Sequence, residues 1–122
     1  MKNKSFNNRI ELLERLINHD LKLINFFHSD ITKYKILLIV MDSYYNDENK
    51  TIEKIINTLP KDISSRAHQL NCITDAAAKG YLVKETSQSD LRKKYLKASE
   101  NLIIEFEKYL KIFEINKSPS SK

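Results

Sequence analysis

A mainly helical chain with one small β-hairpin is what this 122-residue sequence predicts, and three observations carry the prediction. Apolar residues recur at spacings of three and four through most of the chain, the period of a helix with one buried face. The single glycine, Gly80, follows Lys79 at the end of such a stretch, where a left-handed residue closes a helix. Directly after it, Tyr81–Glu85 and Lys94–Ala98 form two strand-like runs around a polar loop, Thr86 to Lys93.

The first predicted helix covers residues 5–28, with Phe6, Ile10, Leu13, Leu16, Ile17, Leu21, Ile24 and Phe27 on one stripe that Leu12, Leu23 and Phe26 widen. That is more apolar surface than one neighbour covers, so a second copy of the chain is the expected partner. Asp30 or Thr32 is placed to cap a second helix running to about Tyr45, containing Ile36, Leu37, Leu38, Val40 and Met41. Ile36 to Met41 also fits a buried strand, but the upstream cap and the lack of turn residues favour a helix. A polar turn, Asn46 to Lys50, separates it from a short helix that Thr51 caps, with Ile52, Ile55, Ile56 and Leu59 at helical spacing and Pro60 closing it.

The next helix is expected within Asp62 to Gly80, capped by Asp62 or Ser64, with Ile63, Ala67, Leu70, Ile73 and Ala77 as its inward stripe. Its outer face would then carry Ser65, His68, Gln69, Cys72 and Asp75. A short helix, the turn Pro60 to Ile63 and this second helix make a helix-turn-helix, in which the second member is free to enter a major groove. After the hairpin, Ser99-Glu100-Asn101 caps a last helix to about Asn116, with Leu102, Ile103, Phe106, Tyr109, Leu110, Phe113 and Ile115 apolar. Residues 118–122, Ser118-Pro119-Ser120-Ser121-Lys122, read as a disordered tail.

The composition, 41% hydrophobic and 30% charged, is that of one soluble globular domain over residues 1–117. The longest apolar run is far short of the roughly 20 residues that a membrane span needs. No secretory signal follows Met1, and one cysteine, Cys72, excludes an internal disulfide; both point to a cytoplasmic protein that makes no use of a membrane. The net charge is +5. From Lys61 to Lys97 the cations Lys61, Arg66, Lys79, Lys84, Arg92, Lys93, Lys94 and Lys97 outnumber the anions Asp62, Asp75, Glu85 and Asp90 two to one, which favours a polyanionic partner.

The segments Thr51-Ile52-Glu53-Lys54-Ile55-Ile56, Ser64-Ser65-Arg66, Ala78-Lys79-Gly80-Tyr81-Leu82 and Asp90-Leu91-Arg92 together resemble the multiple antibiotic resistance regulator (MarR) family. Asp90-Leu91-Arg92 is similar to that family's Asp-x-Arg wing signature, and Leu96-Lys97-Ala98-Ser99 stands where the family has a strand ending in Leu-Thr. The resemblance covers residues 31–99 well and the helical flanks by character. The turn Leu59 to Ile63 is longer than the family's, and the chain is short for it. What the resemblance implies is a winged helix-turn-helix with residues 31–98 on DNA and residues 5–28 and 99–116 as dimerisation helices.

The function expected is a homodimeric, sequence-specific double-stranded DNA-binding transcription regulator. Base or phosphate contacts are expected from Ser64, Ser65, Arg66, His68, Gln69 and Cys72, and backbone or minor-groove contacts from Arg92, Lys93 and Lys94. Arg66 is long enough to reach phosphate, guanine or Asp90. The alternative is a dimeric module of the same shape that binds a protein, which would expose apolar residues on this face. An enzyme is not expected. His19-Asp20 and His28-Ser29-Asp30 are sequence neighbours that point about 100° apart on a helix, and one glycine cannot make a phosphate loop. No cofactor or metal is expected either, because His68 and Cys72 offer only two ligands on one helical face. Oxidation of Cys72 would put a bulky polar group on the helix, but no adjacent cation clearly activates the thiol.

Overall fold

The structure is a computed structural model and describes residues 8–11, 14 and 22–114. Residues 8–11 and 14 are helical, followed by α1 (Lys22–His28), α2 (Ile31–Tyr45), α3 (Ile52–Thr58), α4 (Arg66–Ala78), β1 (Leu82–Thr86), β2 (Lys94–Ala98) and α5 (Glu100–Glu114). The expected contributions of Phe6, Leu12, Leu13, Leu16, Ile17, Leu21, the Phe113 side chain and Ile115, and the tail at 118–122, lie outside the described residues.

The centre of the molecule is α2. Asp30 Oδ1 accepts from the N–H groups of Thr32 and Lys33, so the helix opens where its cap predicts. Ile36, Leu37, Ile39, Val40 and Met41 are buried on nearly every side, because α1, α3, α4 and β2 all pack around this helix. A helix enclosed in this way has no need of a polar face along its middle, which is why its sequence also reads as a strand. Ser43, buried two residues from the end, bonds back to the Ile39 carbonyl and accepts from Lys50 Nζ.

Thr51 Oγ1 accepts from Lys54 N–H and starts α3; Leu59, extended at ψ 145°, ends it before Pro60. Gly80 ends α4 at φ 76° in a Schellman motif: its N–H donates to the Ala77 carbonyl, and the Tyr81 N–H donates to that of Ala76. The hairpin that follows is antiparallel, pairing Leu82 with Ala98 and Thr86 with Lys94. A third backbone segment joins it, since Thr51 bridges Tyr95 and the Leu96 N–H donates to the Lys50 carbonyl. The start of α3 is thereby tied to the base of the wing. Ser99 Oγ accepts from Leu102 N–H and opens α5 at its predicted cap.

Packing corrects one premise about the flanking helices. Ile24 and Phe27 from α1, and Leu102, Phe106 and Tyr109 from α5, are buried in the chain's own core. They close over α2 and are therefore not surplus apolar surface. The Tyr109 hydroxyl lies 2.7 Å from that of Tyr34 and 3.3 Å from His28 Nε2, joining α5 to α2 and α1 through polar groups as well. Burial pushes the Tyr109 phenol far up, helped by Tyr34, and pushes His28 down, so both stay uncharged. Ile104 and Leu110 on α5 and Ile10 remain exposed.

Candidate nucleic-acid interface

The helix-turn-helix is α3, the turn from Leu59 to Ser65, and α4. The turn is longer than expected because α4 starts at Arg66, with Ser65 as its cap accepting from the His68 N–H. Neither Asp62 nor Ser64 caps it. Ser64 is held elsewhere: its hydroxyl lies 2.8 Å from Thr32 Oγ1, and its carbonyl accepts from the Gln69 side-chain amide. Docking Ser64 on α2 leaves the next residue at the helix start.

The roll of α4 also differs from expectation. Gln69, Cys72, Ile73 and Ala76 are buried, whereas Ala67 and Leu70 are exposed, Leu70 to 37%. Two residues expected on the outer face, Gln69 and Cys72, therefore turn inward. Small side chains account for this. Cys72 and Ala76 let α4 approach α2 and β1 closely, and Gln69 can be buried because Ser64 satisfies its amide. Among the described residues no buried side-chain nitrogen or oxygen lacks a partner.

His68 is half-buried and directed at α2, its Nε2 lying 2.7 Å from Asp30 Oδ2. Burial tends to raise the Asp30 carboxyl, but the bonds from His68, Thr32 and Lys33 outweigh it and hold the group below its ordinary value. Arg66 does not reach Asp90. It donates from one guanidinium nitrogen to both oxygens of Glu53 on α3, at 2.8 and 2.9 Å. The outward side of α4 thus comprises Arg66, Ala67, Leu70, Asn71, Thr74 and Asp75. The sequence hides Asn71 and Thr74, because an inward stripe of Ala67 and Leu70 carries the residues four positions on to the same face.

The wing tip is ordered by its own bonds. Ser87 is buried, donates its N–H to the Lys93 carbonyl and accepts from the Asp90 N–H at its hydroxyl. Asp90 Oδ1 in turn accepts from the Arg92 backbone N–H and from Arg92 Nε. This local turn explains why an Asp two residues before an Arg occurs here. The Arg92 side chain is 93% exposed, and Lys93 and Lys94 are exposed with no ion pair among the described residues. A cleft lined by Thr51, Ile52, Glu53, Arg92, Lys93 and Lys94 separates the wing from α3. Glu53 faces Arg66 on one side and this cleft on the other, so the start of α4 and the basic wing adjoin one surface.

No protein-family model and no curated protein sequence matches the chain. Solved structures do. A protein assigned as a MarR-like transcription regulator from Bacillus cereus ATCC 10987 aligns with a TM-score of 0.56 over 92% of this chain and 76% of that one, at 12% identity. The heme sensor protein PefR from Streptococcus agalactiae, in complex with heme, aligns with a TM-score of 0.56 over 94% of this chain and 76% of that one, at 19% identity. PefR with heme and carbon monoxide aligns equally well, at 18% identity. The fold is therefore that of MarR-like winged-helix proteins, mainly helical with a two-stranded antiparallel hairpin. Among the described residues no helix is long and apolar enough to cross a membrane.

Proposed function

We propose that this protein is a transcription regulator that binds double-stranded DNA sequence-specifically as a homodimer, with α4 in the major groove and the wing on the backbone or minor groove. The observation that carries this reading is the shared surface around Glu53, where the exposed first turns of α4 meet Arg92, Lys93 and Lys94. A helix start projecting amide and hydroxyl groups beside exposed cations can grip phosphates and read base edges together. The likeness to a transcription regulator supports it.

The roll of α4 selects the contacts. Asn71 carries the amide pair suited to adenine, Arg66 the guanidinium suited to guanine, and Leu70 an apolar surface for a thymine methyl, while Ser65 and Thr74 suit phosphate or base. Arg66 would exchange Glu53 for DNA at little loss, since both partners of that pair are exposed. Ser64, His68, Gln69 and Cys72 then support α4 from behind. The test is a mobility-shift assay across salt concentrations with selected and random duplex. Asn71→Ala should weaken selected duplex by about 1–3 kcal/mol and random duplex much less.

One observation favours a second reading. Leu91 at the wing tip is 76% exposed and Val83 on β1 is 45% exposed, as a protein-binding face would have them. On DNA, Leu91 would instead be an apolar wedge for the minor groove. Absence of binding to any duplex at low salt, with Leu91→Ser abolishing a protein contact, would decide for the second reading.

A further inference from the structure

Asp30, His68 and Cys72 form a cluster in which three different metal-ligating groups converge. His68 and Cys72 are one turn apart on α4, which places them on one side of the helix. Packing of α4 on α2 adds Asp30, which lies 38 residues from His68 in sequence. His68 Nε2 is 2.7 Å from Asp30 Oδ2 and 3.5 Å from Cys72 Sγ, and the three donor atoms all lie within 4.8 Å of one another. Asp30 caps α2 with its other oxygen, Oδ1, so Oδ2 is not committed to the helix.

Two features separate this cluster from a catalytic relay and from a plain hydrogen-bond chain. A relay uses both imidazole nitrogens, one toward the nucleophile and one toward the carboxylate, whereas here both partners address Nε2. Ligands at ordinary zinc distances of about 2.0–2.3 Å in a tetrahedron sit roughly 3.3–3.6 Å apart. The sulfur-to-nitrogen separation already has that value, and the oxygen-to-nitrogen separation needs to open by only about half an ångström.

We propose that Asp30, His68 and Cys72 bind one divalent transition-metal ion of the zinc class, fastening α4 to the start of α2. A thiolate, an imidazole and a carboxylate suit such an ion better than magnesium or calcium. Three protein ligands leave a fourth position for water. Burial and the Asp30 charge push the Cys72 thiol up, so the metal-free side chain is protonated. Binding releases that proton to solvent, and His68 would hold the ion through the Nε2 lone pair with its ring proton on Nδ1. The ion offsets the charges of Asp30 and the thiolate; Lys33 and Asp75, which also act on Cys72, are of opposite sign. Cys72 itself is 2% exposed, and Asp30 and His68 are half-buried, so the ion enters from their side.

The site stands without the DNA-binding reading; its consequence for DNA rests on that reading. Holding His68 and Cys72 against Asp30 holds the first two turns of α4, the part presented to a groove. The full chain, stripped with a chelator and dialysed, is titrated with Co²⁺ alone and with Zn²⁺ in competition with a chromophoric chelator. One ion per chain is expected, with tetrahedral ligand-field absorption and a thiolate-to-cobalt charge-transfer band. Cys72→Ser should remove that band, and Cys72→Ser and Asp30→Asn should each weaken Zn²⁺ at least tenfold. Asparagine keeps the cap on α2, so Asp30→Asn decides the matter even if the serine variant fails to fold. Absence of the charge-transfer band from the unsubstituted chain, or undiminished Zn²⁺ affinity in Asp30→Asn, would overturn the proposal. A chain that takes up cobalt as described but shifts no duplex with or without Zn²⁺ would overturn the DNA-binding reading and leave the metal site standing.

Discussion

Ser64 and Ser65 are neighbours with opposite duties, and the difference sets where α4 begins. Ser65 accepts from the His68 N–H at the helix start, while Ser64 is turned away to Thr32 and Gln69. Ser65→Ala should therefore cost about 1 kcal/mol of stability as a lost cap, measured by the denaturant midpoint. Gly80 works at the other end of the same helix. A methyl group there would meet nothing within 4 Å, so Gly80→Ala is opposed by its φ of 76° alone. The expected loss is about 1–2 kcal/mol, with Gly80→Asn milder. A loss near zero would mean that the turn at Gly80 readily adopts another conformation. At this scale the sequence is highly legible, because caps act on backbone groups two or three residues away. Asp30, Thr51, Ser99 and Gly80 all do what their positions predict.

Elements are legible in kind and less so in orientation. The hairpin, its polar loop and each described helix occur where periodicity places them, whereas the inward face of α4 is displaced around the helix. Hydrophobicity favours Ala67 and Leu70 for the inward face over Gln69 and Cys72, and a buried glutamine is legible only once its partner, the Ser64 carbonyl, is known. The wing supports a prediction at this scale. Arg92→Ala with Lys94→Ala should weaken binding to all duplexes alike and lower the salt slope by about one unit per lost phosphate contact. An unchanged slope would take the wing off DNA. The joint of α5 with α1 and α2 supports another, through Tyr109. Its phenol is raised in the folded chain, so above the ordinary value near 10 the unfolded chain binds fewer protons than the folded one. Stability is then complete below about pH 10 and falls as pH rises further, by up to about 1.4 kcal/mol per unit. Tyr109→Phe should start about 1 kcal/mol less stable and lose this alkaline dependence, which melting temperatures across pH 8–11 would reveal.

For the molecule as a whole, the proposed homodimer makes the next prediction. The buried state of Phe106 and Tyr109 removes them from the expected interface, and among the described residues Ile104 and Leu110 on α5, together with Ile10, are the exposed apolar residues of the flanking helices. Sedimentation at micromolar concentration should show a dimer, and Ile104→Glu with Leu110→Glu should convert it to monomer without unfolding it. A dimer that presents both copies of α4 to one side of a duplex would place its half-sites about 34 Å apart.

The order of elements, the caps of α2, α3 and α5 and the basic character of residues 61–97 were determined by the sequence alone, because periodicity, capping and net charge act within a few residues or need no geometry at all. What only the tertiary structure decided was how these parts face one another. The packing of α4 on α2 turned Gln69 and Cys72 inward, exposed Asn71 in their place and carried Asp30 to His68. A helix can roll about its axis without changing its own hydrogen bonds, so its sequence leaves that angle loosely constrained. It is settled by the fit of side chains against neighbours far away in the chain.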